Sequence, residues 1–325
     1  MATAEQSYLR GQLEQRRERL HTLVHETEND ASLHRLLGEV DAALSKMDAG
    51  TFGVCEECHG SVEVERLLAD PTAGVCLECL SQDEQRLLER DLALAGNIQR
   101  ALLPQPQFST AAWKVSFHYE PAGLVSGDYC DLIETPSGLL FLLGDVSGKG
   151  VAASMLMSHL NATFRSLAAG NLSVNSMAEA ANRIFCKSTL AGQYATLIVG
   201  RADDGGAVEF VSAGHLPLLH VHAGGARAHG ATGVPLGMFG DARYTVQNVK
   251  LQPGESLLLY TDGLSEARNA AGEEYGVERV ARIAAQGVAL SPDLLLAGCI
   301  SDLRGHLAGV KGRDDLSLLA LRRVN

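Results

Sequence analysis

The sequence has few aromatic residues, no excess of positive charge and no long hydrophobic run. Aromatic side chains make up 5% of the 325 residues, and the formal net charge at pH 7 is −12. This balance argues against a general nucleic-acid or anionic-membrane surface, because neutralising phosphate needs clustered Lys and Arg. No apolar run reaches the roughly 20 residues that cross a bilayer, and the opening MATAEQSYLRGQLEQRRERL lacks the apolar core of a signal peptide. We therefore expect a cytoplasmic protein.

The composition suits a folded protein of about two domains, since 46% of the residues are hydrophobic and 20% are charged. Apolar residues at helical spacing predict two helices over residues 4–48, forming a hairpin in which Asp30 or Ser32 caps the second helix. A third helical pattern covers residues 81–103 and ends at two prolines.

Short apolar runs separated by Gly- and Asp-rich turns follow these prolines and predict strands. The runs are WKVSFHY, LLFLLGD, ATLIVG, AVEFVSA, PLLHV, SLLLYT and LSLLAL. Helices are predicted around 150–169, at 174–190 and at 276–306. Strand-rich ends with helices between them predict an α+β sandwich, in which helices cover packed sheets.

Four of the seven cysteines form two C-x-x-C pairs, with seventeen residues (59–75) between the pairs. An odd cysteine count without an export signal favours thiolates over disulfides. Four thiolates can surround one ion tetrahedrally, and zinc suits that ligand set. With no open coordination position the zinc would be structural, and a redox dithiol is the alternative. The four predicted ligands are Cys55, Cys58, Cys76 and Cys79. The remaining cysteines, expected to be plain hydrophobic residues, are Cys130, Cys186 and Cys299.

The segment GTFGVCEECHGSVEVERLLADPTAGVCLECL resembles the DksA/TraR-type zinc finger, including Arg66-Leu67 and residues 71–73 around the cysteine pairs. The resemblance covers about 30 residues and the helical hairpin ahead of them. In that family the hairpin can carry acidic residues that enter a channel of RNA polymerase, which implies RNA polymerase as a partner. The tip of this hairpin, Glu26 to Asp30, departs from that acidic motif.

Aspartates stand beside glycines in turns at the ends of the predicted strands, in VSGDYCD, LLGDVSGKG, LYTDGLSEA and GRDDLSLL. Carboxylates of this kind form sites for hard cations, and the glycines let backbone and metal approach closely. Two oxygen-ligated ions a few ångströms apart can activate a water and hold a phosphoryl oxygen. The aspartates in these turns are Asp128, Asp131, Asp145, Asp262, Asp314 and Asp315.

The stretch GDVSGKG also allows a second interpretation. Its glycines and Lys149 precede a predicted helix, whose N-terminal amides favour anions, so it could be the phosphate-binding loop of a nucleotide hydrolase. The Walker A spacing is absent, however. No arginine near the motifs stands out as a grip for substrate phosphate. His215 in SAGH is interpreted as a structural hydrogen-bonding residue in preference to a general acid.

The ordered motifs resemble the PPM-type serine/threonine phosphatases of the SpoIIE/RsbU branch. The motifs are IQRALLP, VSGDYCD, GDVSGKGVAASMLM, YATLIVG, VSAGHLPLL, GVPLGMF, YTDGLSEARN and GRDDLSLLAL, over about residues 90–323. The resemblance implies a β-sandwich flanked by helices and two catalytic Mn²⁺ or Mg²⁺ ions. It also implies hydrolysis of phosphoserine or phosphothreonine by metal-activated water, on a regulatory protein of the anti-sigma factor antagonist type.

The same resemblance assigns roles to individual residues. Asp145 would bridge both ions, the Val146 carbonyl would bind one, and Asp262 with Asp314 would hold the other. Asp128 would lie in contact with an ion or with its ligands. The tandem aspartates leave the register open, so Asp315 is the alternative to Asp314. Asp131 is expected to support the site without binding metal.

The predicted organisation is a helical hairpin (1–50), a zinc finger (51–81), a helical linker (82–104) and a phosphatase domain (105–325). The linker carries an apolar stripe that a lone helix could not bury, which predicts a homodimer, with packing onto the phosphatase domain as the alternative. The stripe consists of Leu87, Leu94, Ile98 and Leu102. A competing hypothesis is a transcription-regulating binding protein that acts on RNA polymerase through the zinc module.

Overall fold

A computed structural model describes residues 3–26, 30–170, 172–190 and 192–324. The chain divides into two compact units, with the boundary between Arg90 and Asp91. None of the helices in the described ranges combines the length and hydrophobicity needed to span a bilayer. The tip of the predicted hairpin falls largely on residues 27–29, which lie outside the described residues.

The first unit contains the predicted helical hairpin and a small cysteine-rich segment. Its helices are α1 (Thr3–Glu26), α2 (Ala31–Asp48) and α3 (Val64–Ala69). Asp30 caps α2, since its carboxylate accepts a hydrogen bond of 2.9 Å from the Ser32 amide. The hairpin core consists of Leu13, Leu20, Val40, Ala43 and Leu44. The third predicted helix is α4 (Gln82–Leu102), and the boundary between the units falls within it.

The second unit contains two antiparallel sheets. One sheet has the order β1-β2-β11-β10-β7-β8 and the other has the order β3-β4-β5-β6-β9. The strands are β1 (Gln107–Ser109), β2 (Trp113–Glu120), β3 (Tyr129–Thr135), β4 (Gly138–Val146), β5 (Ala195–Ala202), β6 (Ala207–Ala213), β7 (Leu218–His222), β8 (Gly225–His229), β9 (Gln247–Lys250), β10 (Ser256–Tyr260) and β11 (Leu316–Arg323).

Helices cover the outer faces of both sheets. The helices are α5 (Gly150–Ala168), α6 (Val174–Ser188), α7 (Asp262–Ser265), α8 (Val277–Gln286) and α9 (Pro292–Leu307). Helices α5 and α6 share a core with β3 to β6, α8 and α9 share one with β7, β10 and β11, and a third core lies between the sheets. Strands β4 and β11 are buried almost throughout because both of their faces are covered. The predicted α+β sandwich is confirmed.

The predicted helix over 276–306 is wrong as a single element. The structure has two helices there, because α8 ends at Gly287 and α9 begins with Ser291 as its N-cap and Pro292 in its first turn. Four strands were absent from the prediction, namely β1, β3, β8 and β9. All four lie at sheet edges, and β1, β8 and β9 carry partly exposed residues and lack a continuous apolar run.

Candidate active site

The aspartate turns meet at one end of the sandwich. Strand β10 leads into Asp262, and β11 begins directly after Asp315; since these strands are antiparallel neighbours, the two turns share one sheet end. In the other sheet, β3 begins directly after Asp128, and the paired strand β4 ends with Asp145 and Val146. The strand order therefore explains why aspartates distant in sequence become neighbours.

Hydrogen bonds across the sheets hold these turns together. The Thr261 hydroxyl donates to Asp128 Oδ2 at 3.0 Å. Asp315 accepts from the Ala122 amide at 2.7 Å through Oδ1 and from the Gly127 amide at 3.1 Å through Oδ2. Both oxygens of the buried Asp315 are thus engaged in fixing the loop that carries Asp128.

Two glycines permit close approach at this end of the sandwich. A Cβ at Gly127 would lie 2.8 Å from the Val146 carbonyl oxygen and 3.1 Å from Asp145 Oδ1. A Cβ at Gly263 would lie 2.0 Å from the Asp315 carbonyl oxygen, which is a severe clash. Only glycine lets these turns pack so tightly.

Burial and mutual repulsion raise the pKa values of these carboxyl groups. Burial raises the pKa of Asp145 to about 7, with further increases from the charges of Asp262, Asp314 and Asp315. Burial and then Asp314 raise the pKa of Asp262 to about 6. Burial and the charge of Asp145 raise the pKa of Asp128 well above its usual range. A cation bound among these partly buried carboxylates would offset their mutual repulsion.

The residues present fit divalent cations. Asp128 Oδ1 is buried and makes no hydrogen bond to any described residue, so it is free to face a positive charge. Lys149 already places its ammonium 2.8 Å from Asp314 Oδ2. Within the described ranges, no three aspartate or glutamate oxygens come within 4.8 Å of one another.

Two of the predicted residues lie in structural networks outside this cluster. Asp131 is fully buried and accepts hydrogen bonds from Arg165 at 2.8 Å and from the Leu132 amide at 2.9 Å. His215 bonds the Tyr260 carbonyl through Nε2 at 3.2 Å and the Thr196 hydroxyl through Nδ1 at 2.8 Å. Because a carbonyl only accepts, Nε2 carries the proton and Nδ1 accepts. Burial lowers the pKa of His215 to about 4, so the ring is neutral.

Sequence reasoning missed several residues of the site. Thr261 precedes the TDG turn, but its bond to Asp128 joins residues 133 positions apart and has no local signal. The expectation that no arginine near the motifs grips substrate phosphate stays a prediction. Arg268, Arg304 and Arg313 line the cavity that also contains Asp262 and Asp314. The arginine in GRDD was visible in the sequence, whereas Arg304 lines this cavity only because of the packing of α9.

The cysteine pairs converge in the first unit. The Sγ atoms of Cys55, Cys58, Cys76 and Cys79 all lie within 4.8 Å of one another, and Cys58 and Cys76 are 3.7 Å apart. Backbone amides of Cys58 and Cys76 lower the pKa of Cys55 to about 6, whereas the neighbouring thiols raise the pKa of Cys79. Four thiols at this spacing can hold one tetrahedral ion.

Two family models match the chain. Residues 135–324 match stage II sporulation protein E (SpoIIE), and residues 50–91 match the prokaryotic dksA/traR C4-type zinc finger. The first match covers more than half of the chain and includes the turns with Asp145, Asp262 and Asp314. The second covers all four cysteines.

Curated relatives and a solved structure agree with the first match. Protein IcfG of Synechocystis is 26% identical over 263 residues, which are 72% of this chain and 41% of that protein. Phosphoserine phosphatase RsbU of Bacillus subtilis is 24% identical over 249 residues, 74% of this chain and 72% of RsbU. The crystal structure of the RsbU and RsbW domains of a Mycobacterium tuberculosis protein is 31% identical, with a TM-score of 0.58 over 66% of this chain and 60% of that one.

Proposed function

Because the chain belongs to the SpoIIE family, we propose that it is a metal-dependent protein phosphatase acting on phosphoserine or phosphothreonine. The observation that carries the proposal is the aspartate cluster at one end of the sandwich, where burial and repulsion raise three carboxyl pKa values. Its homology to RsbU, a phosphoserine phosphatase, supports the same activity.

The chain would hold two Mn²⁺ or Mg²⁺ ions through Asp145, the Val146 carbonyl, Asp262, Asp314 and Asp128. When bound, such ions supply an activated water and neutralise charge on the phosphoryl group. Carboxylate and carbonyl oxygens are the ligands these ions prefer. We favour Asp314 over Asp315 as the ligand, since both oxygens of Asp315 are already used by backbone amides.

The remaining residues of the site position these groups and set their charge. The Thr261 hydroxyl orients Asp128 by bonding one carboxylate oxygen, which leaves the other free. Asp315 fixes the loop before Asp128, and Lys149 balances the charge of Asp314. His215 is neutral and both ring nitrogens are occupied, so it is not assigned a proton-transfer role.

The substrate we infer is a regulatory phosphoprotein of the anti-sigma factor antagonist type, as the resemblance to the RsbU branch implies. The proposed organisation is the helical hairpin (1–50), the zinc finger (51–81), the linker (82–104) and the phosphatase domain (105–325). We place the protein in the cytoplasm.

Leu87, Leu94 and Ile98 are 60%, 60% and 58% exposed, which supports a homodimer formed through the linker helix.

A second candidate function concerns the first unit. The four-cysteine cluster and its match to the dksA/traR zinc finger support one structural zinc ion, with contact to RNA polymerase through this module. A protein whose only function is to bind RNA polymerase would have no need for the aspartate cluster. The phosphatase function is therefore the stronger proposal.

Comparing substrates separates the candidate functions. The full chain is assayed with a phosphoserine peptide and with ATP, each with and without Mn²⁺. A phosphatase releases phosphate from the peptide only when Mn²⁺ is present and leaves ATP largely intact. Preferential hydrolysis of ATP would indicate a nucleotide hydrolase, and inactivity on both substrates would leave only the binding function.

A further inference from the structure

A cavity of about 500 Å³ extends from the aspartate cluster across the surface of the second unit. Asp262 and Asp314 form part of its wall, so the cavity is continuous with the proposed catalytic site. Its floor is apolar and is made by buried side chains at the junction of α9 and β11. These floor residues are Ile300, Leu303 and Leu316.

The cavity is lined by both basic and acidic side chains, and two of the basic ones have no acidic partner in the described part of the chain. The acidic residues are Glu120 and Glu266, together with Asp262 and Asp314, which are proposed to bind the ions. Lys311 and Arg313 are exposed, and neither side chain forms an ion pair or hydrogen bond with any residue in the described ranges. Arg304 lies 3.4 Å from Glu120, but both side chains are more than half exposed, so this pair is weak. Arg268, in contrast, is engaged by Glu274 and by the Gly272 carbonyl.

Lys311 and Arg313 thus leave a local positive charge at this end of the cavity, although the whole lining has four acidic and four basic side chains. Placed beside a site for phosphate esters, this local charge attracts a negatively charged partner and repels a basic one. The apolar floor adds a place for a hydrophobic side chain, and the volume suits a few residues of an extended segment. Residues on one side of a phosphoserine whose phosphate lies beside Asp262 and Asp314 can reach this surface, since each extends the chain by about 3.3–3.6 Å.

We propose that this cavity is the specificity site for the protein substrate. It receives the segment next to the phosphoserine, with an acidic side chain at Arg304 and Lys311 and an apolar side chain on the floor. This inference rests on the proposed phosphatase function and identifies the substrate as an acidic phosphoprotein segment.

The test uses the full chain with three Mn²⁺-dependent substrates. These are p-nitrophenyl phosphate and two synthetic phosphoserine peptides of equal length, one with Asp and Leu beside the phosphoserine and one with Lys and Leu. The cavity variant is the double substitution Arg304→Glu and Lys311→Glu. A matched control with the same charge change is Arg227→Glu with Lys250→Glu, at exposed positions outside the cavity.

We expect the wild type to prefer the acidic peptide by about tenfold in kcat/KM, mainly through KM. The cavity variant should lose or reverse this preference while keeping its rate on p-nitrophenyl phosphate, and the control should retain both.

Equal preference in the cavity variant and the wild type would overturn the proposal, as would a wild-type preference for the basic peptide. A parallel loss of p-nitrophenyl phosphate hydrolysis would also overturn it, by locating the effect in the aspartate cluster. A wild type inactive on all three substrates would instead refute the phosphatase function on which the proposal rests.

Discussion

At the scale of single residues, the proposed active site depends on carboxylates kept where they repel one another. Asp145 lies at the end of a buried strand and feels the charges of Asp262, Asp314 and Asp315. This arrangement disfavours ionisation in the metal-free protein and favours binding of a cation. The residues proposed to bind the ions are therefore the same residues whose charges destabilise the metal-free protein.

The repulsion among these aspartates predicts how the stability of the protein without catalytic metals depends on pH. The pKa of Asp145 is about 7 in the folded chain and about 4 in an unfolded one, so the folded state binds the proton more tightly. Its stabilising effect is complete below the unfolded value and is lost as pH rises towards 7. The free energy of unfolding of the Mn²⁺- and Mg²⁺-free protein should fall by roughly 1 kcal/mol from this group between pH 6 and pH 8.

Urea unfolding of wild type and Asp145→Asn at both pH values measures this contribution. The difference between the two proteins measures the titration of Asp145 together with the effect of its charge on the pKa of Asp128, because the asparagine has neither a proton to lose nor a charge. Identical pH dependence in both would contradict the pKa assigned to Asp145.

The sequence made the aspartates recognisable because they lie in turns next to apolar runs, and Asp128, Asp145 and Asp262 each stand beside a glycine. It could not separate Asp314 from Asp315, since tandem residues share every local signal. Hydrogen bonds from Ala122 and Gly127, far away in sequence, distinguish the two in the structure. The same limit applies to Thr261, whose partner is 133 residues distant.

At the scale of secondary structure elements, helix α4 has two different faces. One face docks on the loop before Asp128. Gln99 is buried there, donates to the Ser126 carbonyl at 2.6 Å and accepts from the Ser126 amide at 3.0 Å. Gly96 lies so close to this loop that a Cβ would be 2.3 Å from the Leu124 carbonyl oxygen. The other face carries the exposed apolar stripe.

The docked face predicts a positioning role for Gln99. Gln99→Leu leaves the Ser126 backbone groups buried without partners, at a cost of about 1–3 kcal/mol. Since the Ser126 hydroxyl accepts from the Asp128 amide at 3.0 Å, the Asp128 turn should shift. The Mn²⁺ concentration for half-maximal activity should rise by about tenfold while the rate at saturating Mn²⁺ changes little. The control Asn97→Leu, on the exposed side of α4, should leave the Mn²⁺ concentration for half-maximal activity unchanged. If Gln99→Leu changes the stability of the protein but not this Mn²⁺ concentration, Gln99 has only a structural role.

The exposed face predicts dimerisation. Burying the stripe against a second copy gains on the order of 1.5–3 kcal/mol per large side chain, and Ile98→Asp would oppose this with a buried charge. Light scattering should show a dimer for the wild type and a monomer for Ile98→Asp, with altered turnover in the variant. Leu294→Asp, at a comparably exposed leucine of α9, should remain dimeric. If the wild type is a monomer and its activity equals that of Ile98→Asp, the linker is only a spacer and the dimer prediction is wrong.

The sequence predicted those helices that bury one face and those strands that are buried on both faces. Strands β4, β10 and β11 are covered on both faces and read as continuous apolar runs. Strand β8 is short and largely polar, so pairing with β7 rather than its own composition makes it a strand. The division of 276–306 into α8 and α9 depended on Gly287 and Pro292, which were visible but outweighed by the apolar spacing.

At the scale of the whole molecule, we propose two kinds of metal site in separate units of the chain. The thiols of the first unit favour zinc, whereas the oxygens of the second favour Mg²⁺ or Mn²⁺. Elemental analysis after mild EDTA treatment should therefore find one zinc per chain. Cys76→Ser should lose that zinc, whereas Cys186→Ser, outside the cluster, should retain it. Native protein without zinc would contradict the assignment of the four cysteines.

The proposed phosphatase function is tested most directly by the Mn²⁺-dependent hydrolysis of a phosphoserine peptide by wild type, Asp145→Asn and Asp262→Asn. Neutral amides ligate hard cations poorly, and loss of either ion disables two-metal catalysis. Both variants should fold, as judged by unchanged circular dichroism, and their rates should fall about a thousandfold or more in metal-replete buffer. Near-normal turnover by either folded variant would contradict the placement of the catalytic centre at the aspartate cluster.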